Sequence, residues 1–219
     1  MRSLAALALG LSLLAAAPAA AFDLVPGNPA DRLTRLPIDD ERYDHATHCR
    51  RSPMPGTLAL ERWLGSHAGG SSWGIMRCEK LSEDNYSLHA EGRALDWHLD
   101  AARRADRREA QRIIDLMLAP DRAGNEHALA RRMGIQEIIW NCRAWFSGAE
   151  RFRPYSVCYD ERGRRKRRVN RTLAHRDHIH FGLTRAGGRM LTSFWTRRAP
   201  RRARDTGRAR STRDRAAAR

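Results

Sequence analysis

Two short segments set the terms for any fold this chain can adopt. They are His89-Ala-Glu-Gly-Arg-Ala-Leu-Asp96 near the middle and Asp177-His178-Ile-His180 near the end. Together they supply two imidazoles and a carboxylate for a divalent ion, with a second carboxylate left over. To serve one ion they must come together in space, although they lie far apart in the chain. Five of the nine histidines fall in two tight groups, His89/His98 and His175/His178/His180, and each group includes an acid in a strand-like context. A lone histidine is more often a hydrogen-bonded surface or core residue than a ligand. Here the joint pattern points to metal.

The local pattern suggests which atoms converge. Residues 93–99 alternate, with Ala94, Asp96 and His98 on one face and Leu95, Trp97 and Leu99 on the other, as in a half-buried strand. His89 precedes that strand, and Gly92 gives the chain freedom to turn both side chains together. His178 and His180 are two apart, so on a strand they share a side, while Asp177 faces away unless the strand end bends. The expected metal set is His89, Asp96 and His180. Asp177 is then the candidate general base, and His178 the donor that steadies an oxyanion or orients water. His98 and His175 are candidates for supporting positions, and Glu91 has no predictable direction beside Gly92.

The opening residues, MRSLAALALGLSLLAAAPAAAFDL, carry an early arginine, an apolar stretch and a small-residue ending. They read as a signal peptide over 1–21, too short in its apolar core for a membrane span. Export makes two disulfides the expectation for Cys49, Cys78, Cys142 and Cys158, since no two are spaced as thiolate zinc ligands usually are. Three pairings are possible. Cys142–Cys158 is favoured because the two flank a hairpin or returning loop, which leaves Cys49–Cys78.

After an extended lead-in at 22–49, one domain of α+β class is expected over 50–196, with a small antiparallel sheet and flanking helices. Its elements are a helix over 57–64 stopped by Gly65 and a strand over 71–78. The strand at 93–99 follows, then a helix capped by Asp106 and Glu109. That helix has a buried stripe of Ala110, Ile113, Ile114, Met117 and Leu118. A short helix over 126–133 closes at Gly134, and Ile135–Trp140 is an apolar strand that could run on to Trp145. Further strands are read at Tyr155–Tyr159 and Asp177–Leu183.

The formal charge is +16. Six basic residues crowd 162–168, and the tail at 197–219 holds ten arginines against two aspartates, a composition read as disordered. Such surfaces suit acidic partners. Export favours anionic cell-wall polymers over nucleic acid, so no nucleic-acid partner is expected. The chain is expected to act as a monomer, secreted or in the cell envelope.

Ser87-Leu-His89-Ala-Glu-Gly92-Arg-Ala94-Leu-Asp96 and His178-Ile-His180 resemble the signatures of the D-alanyl-D-alanine metallopeptidases. These belong to the superfamily that includes lysostaphin-type endopeptidases and the hedgehog domain. The chain looks most like a secreted bacterial branch over roughly 55–185, on strands such as Ile138-Ile-Trp-Asn-Cys-Arg-Ala-Trp145. The resemblance implies Zn2+, a hedgehog-like α+β fold and cleavage of peptide bonds in peptidoglycan stems or cross-links. It places Asp177 where the superfamily has a glutamate base, one methylene longer, and makes Arg143 and Trp145 candidate substrate contacts.

The expected function is therefore a zinc metallopeptidase, with carboxypeptidase and endopeptidase both open. The alternative is a non-catalytic zinc-containing module that binds wall or protein. No Gly-x-Ser-x-Gly turn or phosphate loop is present. Carboxylate pairs for glycoside cleavage, Glu91/Asp96 or Glu137/Asp177, leave the histidines unexplained.

Overall fold

The computed structural model describes residues 27–83 and 85–197. The expected signal peptide and nearly all of the basic tail lie outside the described residues. Eight strands are present among the described residues: β1 (Ser71–Gly74), β2 (Lys80–Ser82), β3 (Asn85–Tyr86), β4 (Ala94–His98), β5 (Ile135–Trp140), β6 (Arg143–Phe146), β7 (Arg153–Pro154) and β8 (His178–Leu183). The helices are α1 (Pro55–His67), α2 (Arg104–Leu118), α3 (Ala128–Met133), α4 (Arg185–Gly188) and α5 (Ser193–Thr196).

Six strands form one antiparallel sheet in the order β1-β4-β8-β5-β6-β7, and β2 and β3 form a separate hairpin. The period-two alternation in β4 and β8 decides how the sheet is used. In their register Asp96 faces His180 and His98 faces His178, so the polar residues share one side. Leu95, Trp97, Ile179, Phe181 and Leu183 point to the other side. There they meet Leu60 and Leu64 of α1, the Ala110–Ile113–Ile114–Met117–Leu118 stripe of α2, and Leu129 and Met133 of α3. Burying each such leucine- or isoleucine-sized side chain stabilises the packing by about 1.5–3 kcal/mol. The sheet is thus an apolar wall on one side and a polar platform on the other. The fold is α+β, as expected.

Several expected elements are corrected. The first helix runs through the exposed Gly65 and ends at His67, since one glycine costs only about 1 kcal/mol in a helix. The stop is the Gly69–Gly70 pair, where Gly70 has φ 104° and a Cβ would lie 2.6 Å from the His98 carbonyl oxygen. The strand expected over 71–78 ends at Gly74, whose φ of 119° marks a break in register. The α2 cap position is Arg103 rather than Asp106. Asp106 accepts from the Asp100 amide, and Glu109 accepts from the Gly69 amide and pairs with Arg112. The strand from Ile135 does not run on to Trp145, because Asn141 and Cys142 take positive φ and turn it into a hairpin. Residues 155–159 hold a 3-10 turn (Ser156–Cys158) in place of a strand.

Both favoured disulfides are formed, Cys49–Cys78 and Cys142–Cys158. The lead-in is more than a trimming. Asn28, Ala30, Leu33, Asp39 and Ala46 are buried. Asp39 accepts from the Ser193 amide, and Ser193 Oγ accepts from the fully buried Arg132 guanidinium at 3.2 Å. A second network fixes the lead-in to the end of the platform. The fully buried Arg93 donates to Glu91 at 2.7 Å and to the Asp44 carbonyl at 2.9 Å. Glu91 also accepts from the Thr47 amide and from Arg185. Glu91 is therefore a structural carboxylate directed away from the histidine cluster.

Candidate metal centre

The platform brings three acceptor atoms together. His89 Nε2, Asp96 Oδ1 and His180 Nδ1 form a triangle with every edge 3.1 Å, and all three residues are buried. Oxygen and nitrogen ligands about 2.0–2.1 Å from a tetrahedral ion stand roughly 3.3 Å apart, so the triangle has the size of one tetrahedral face.

The far side of each ligand is already committed. His89 Nδ1 faces the Ile75 carbonyl at 2.7 Å, so that nitrogen carries the proton and Nε2 presents a lone pair. His180 Nε2 faces Glu137 Oε1 at 2.7 Å, which leaves its Nδ1 as the free nitrogen. Asp96 Oδ2 is held by Arg77 Nη1, which leaves Oδ1 for the triangle. Glu137 is fixed in turn by the Tyr43 hydroxyl at 2.5 Å. Three lone pairs converging in a buried space repel one another unless a cation lies among them. The donor set and its locked tautomers fit a divalent ion.

Titration follows the same logic. Burial works to raise the Asp96 pKa, but hydrogen bonds to His180 and His89 outweigh it and hold the carboxyl far below its usual range. Burial opposes charge on His180, yet its bonds to Asp96 and Glu137 raise it to about 9. A proton is thus one cation that this cluster accepts, and a metal ion would compete with it. Burial lowers His89. Burial also drives the pKa of Tyr43 well above the phenol range, with the Glu137 carboxylate adding to it.

Asp177 stands behind His178, apart from the triangle. Its Oδ1 accepts from His178 Nδ1 at 2.8 Å and its Oδ2 from Thr172 Oγ1 at 2.8 Å. His178 Nε2 is therefore the free nitrogen, 3.5 Å from Asp96 Oδ1, and burial lowers the pKa of the ring. His98 donates from Nδ1 to the Asp177 carbonyl at 2.8 Å and stacks on Trp73 with centroids 4.5 Å apart. The His175 ring lies 4.7 Å from that of His178 and 5.6 Å from that of His180. Burial and then the charges of its two histidine neighbours push its pKa down to about 2.

The site opens into a cavity of about 770 Å³. Tyr43 and His45 from the lead-in, Leu81 and Tyr86 from the small hairpin, Phe146 from β6, and Tyr155, Leu173 and His175 from the 155–175 segment all line it. Arg143 and Trp145 do not. Trp145 is fully buried with its indole donating to the Ala149 carbonyl, and the exposed Arg143 reaches the Phe152 carbonyl. Sequence reasoning gave no role beside the histidines to Glu137, Tyr43 or Arg77. The one available signal was a single acid inside the apolar run Ile135–Trp140.

Residues 51–168, more than half of the chain, match the family model described as VldE, C-terminal domain. The match includes His89, Asp96 and Glu137 and ends before Asp177, His178 and His180. No curated protein and no solved structure matches the chain.

Proposed function

The chain belongs to the VldE C-terminal domain family, and from that premise we propose that it is an exported zinc-dependent hydrolase. It would act on peptide bonds of peptidoglycan stems or cross-links. The observation that carries the reading is the 3.1 Å triangle of acceptor atoms with every other polar atom of its ligands committed elsewhere. His89, Asp96 and His180 would hold the ion. Both the choice of zinc and the metallopeptidase relationship rest on this donor set and on the sequence resemblance.

When bound, zinc supplies Lewis acidity that polarises a carbonyl and eases deprotonation of water. The residues around it do the rest. Asp177 fixes the His178 tautomer, so Nε2 faces the site as a proton acceptor. We assign His178 the role of base and Asp177 that of its positioning partner, in place of the sequence expectation of Asp177 as base, and the bond between them supports that assignment. As water oxygen bonds to the scissile carbonyl carbon, His178 takes a water proton and passes it to the departing amine nitrogen as the C–N bond breaks. Leu81, Phe146 and Leu173 offer exposed apolar contacts beside this chemistry. The two disulfides accord with an oxidising compartment, and no described helix is long and apolar enough to cross a membrane.

The decisive experiment is metal analysis of the purified protein together with mass analysis of digested wall. A single zinc per chain and new amine termini that cease with chelator are expected. Metal without amine release from any wall type leaves a binding module. Failure to bind metal at neutral pH in the oxidised protein removes the reading.

A further inference from the structure

The segment that walls one side of the cavity also carries the densest charge among the described residues. Tyr155, Val157, Thr172, Leu173 and His175 line the cavity, and residues 159–168 form the outer turn between them. That turn is built. Tyr159 and Arg165 pair as a β-bridge, Lys166 N donates to the Cys158 carbonyl at 3.0 Å, and Asp160 accepts from the amides of Arg162 and Arg164. The Cys142–Cys158 disulfide ties its base to the β5–β6 hairpin.

Arg162, Arg164, Arg165, Lys166, Arg167 and Arg168 are all exposed on this turn, against only Asp160 and Glu161. Arg164 pairs with Asp160, and Lys166 Nζ donates to the Val157 carbonyl. Arg162, Arg165, Arg167 and Arg168 form no ion pair among the described residues. Cations fixed this close repel each other, and an anion laid across them relieves that repulsion.

The composition narrows the occupant. Residues 160–168 contain no apolar side chain to anchor in a lipid interface. They present no aromatic ring on which a base could stack, and the neighbouring Tyr159 packs against the disulfide. We propose that residues 160–168 form an ordered docking ridge for a base-free anionic polymer with repeating phosphate or carboxylate groups, held beside the cavity mouth. The wall setting rests on the proposed function, but the binding itself does not.

The test compares the full chain with a combined Arg162→Gln, Arg165→Gln, Arg167→Gln, Arg168→Gln variant, using inorganic polyphosphate and polyglutamate as probes over a salt series. Affinity of the parent should fall steeply with salt. The variant should bind at least tenfold more weakly, with a log–log salt slope shallower by roughly 3. Reading the difference between the two proteins cancels the contribution of the basic tail. Unchanged affinity and slope overturn the proposal. So does ridge-dependent binding of vesicles containing anionic lipid, or of a single-stranded oligonucleotide, in preference to either polymer. Cleavage of a short uncharged stem peptide should be equal in parent and variant. Loss of that cleavage in both defeats the hydrolase reading and leaves the ridge standing.

Discussion

Tyr43 and Glu137 are joined by a hydrogen bond of 2.5 Å across 94 positions of sequence. This bond connects the lead-in to the centre of the platform, because the other oxygen of Glu137 holds His180. Burial works to raise the Glu137 pKa, and the bonds from His180 and Tyr43 outweigh it, so the carboxylate stays ionised. An ionised Glu137 keeps a proton on His180 Nε2, so an ion entering the triangle would displace only the second proton, the one on Nδ1.

If the triangle holds zinc as proposed, Tyr43→Phe should weaken its binding by roughly 10- to 100-fold without touching a ligand, and Glu137→Gln by at least as much. Competition against a chromophoric chelator measures this, with the melting temperature as a control for folding. Equal affinity in all three proteins would show that the lead-in merely covers the site.

Asp177 and His178 should behave as one unit. On the proposed hydrolase reading, Asp177→Ala and His178→Ala are each expected to lower kcat on the order of 10²- to 10⁴-fold while metal content stays at the parent level. The double variant should lose little more than His178→Ala alone, because groups that act together are strongly non-additive. Turnover that survives His178→Ala but not Asp177→Ala would return the role of base to Asp177.

The polar platform was legible because β4 and β8 alternate strictly, so Asp96, His178 and His180 could share a face only if the two strands paired. The α2 stripe was legible for the same reason at helical period. The supporting carboxylate was not. Ile135–Trp140 reads as an apolar strand with one acid, and nothing local says that Glu137 lies opposite Gly182 and beneath His180. Tyr43 was hidden in a lead-in without periodicity, whose conformation comes from partners such as Arg93, Gln136 and Arg185 far along the chain. Asp106 and Glu109 matched a capping pattern, but each bonds a backbone amide outside the helix instead.

Glu91 gives the fold a definite acid response. Burial works to raise its pKa, but the Thr47 amide and Arg93 outweigh that and bring it down from 4.5 to about 2. A depressed carboxyl contributes stability that is complete above its unfolded pKa and is lost as pH falls through its folded one. The Glu91 contribution should thus be constant above about pH 4.5 and gone near pH 2. At neutral pH, Glu91→Gln should cost about 3–5 kcal/mol, since it strands the buried Arg93. The gap between parent and variant should close in acid denaturant titrations over that window. A gap that persists at pH 2 would assign the loss to packing.

Gly182 offers a steric test of the same centre. It sits on β8 between Ala94 and Glu137, and a Cβ there would lie 2.4 Å from Leu88 Cδ1 and 2.5 Å from Glu137 Cγ. Both distances are far inside contact, and Ile138 and Phe181 are buried on the opposite face, so the sheet has little room to yield. Gly182→Ala should push Glu137 off His180 and free the ring to rotate. It removes no polar group. Zinc affinity is expected to fall as in Glu137→Gln, with a stability loss of about 1–3 kcal/mol from overpacking. Combining Gly182→Ala with Glu137→Ala removes the Glu137 contact but leaves the 2.4 Å contact with Leu88, so folding stability should be regained only in part while metal affinity stays low. Recovery of metal binding in the double variant would show that crowding, and not the Glu137 carboxylate, governs His180.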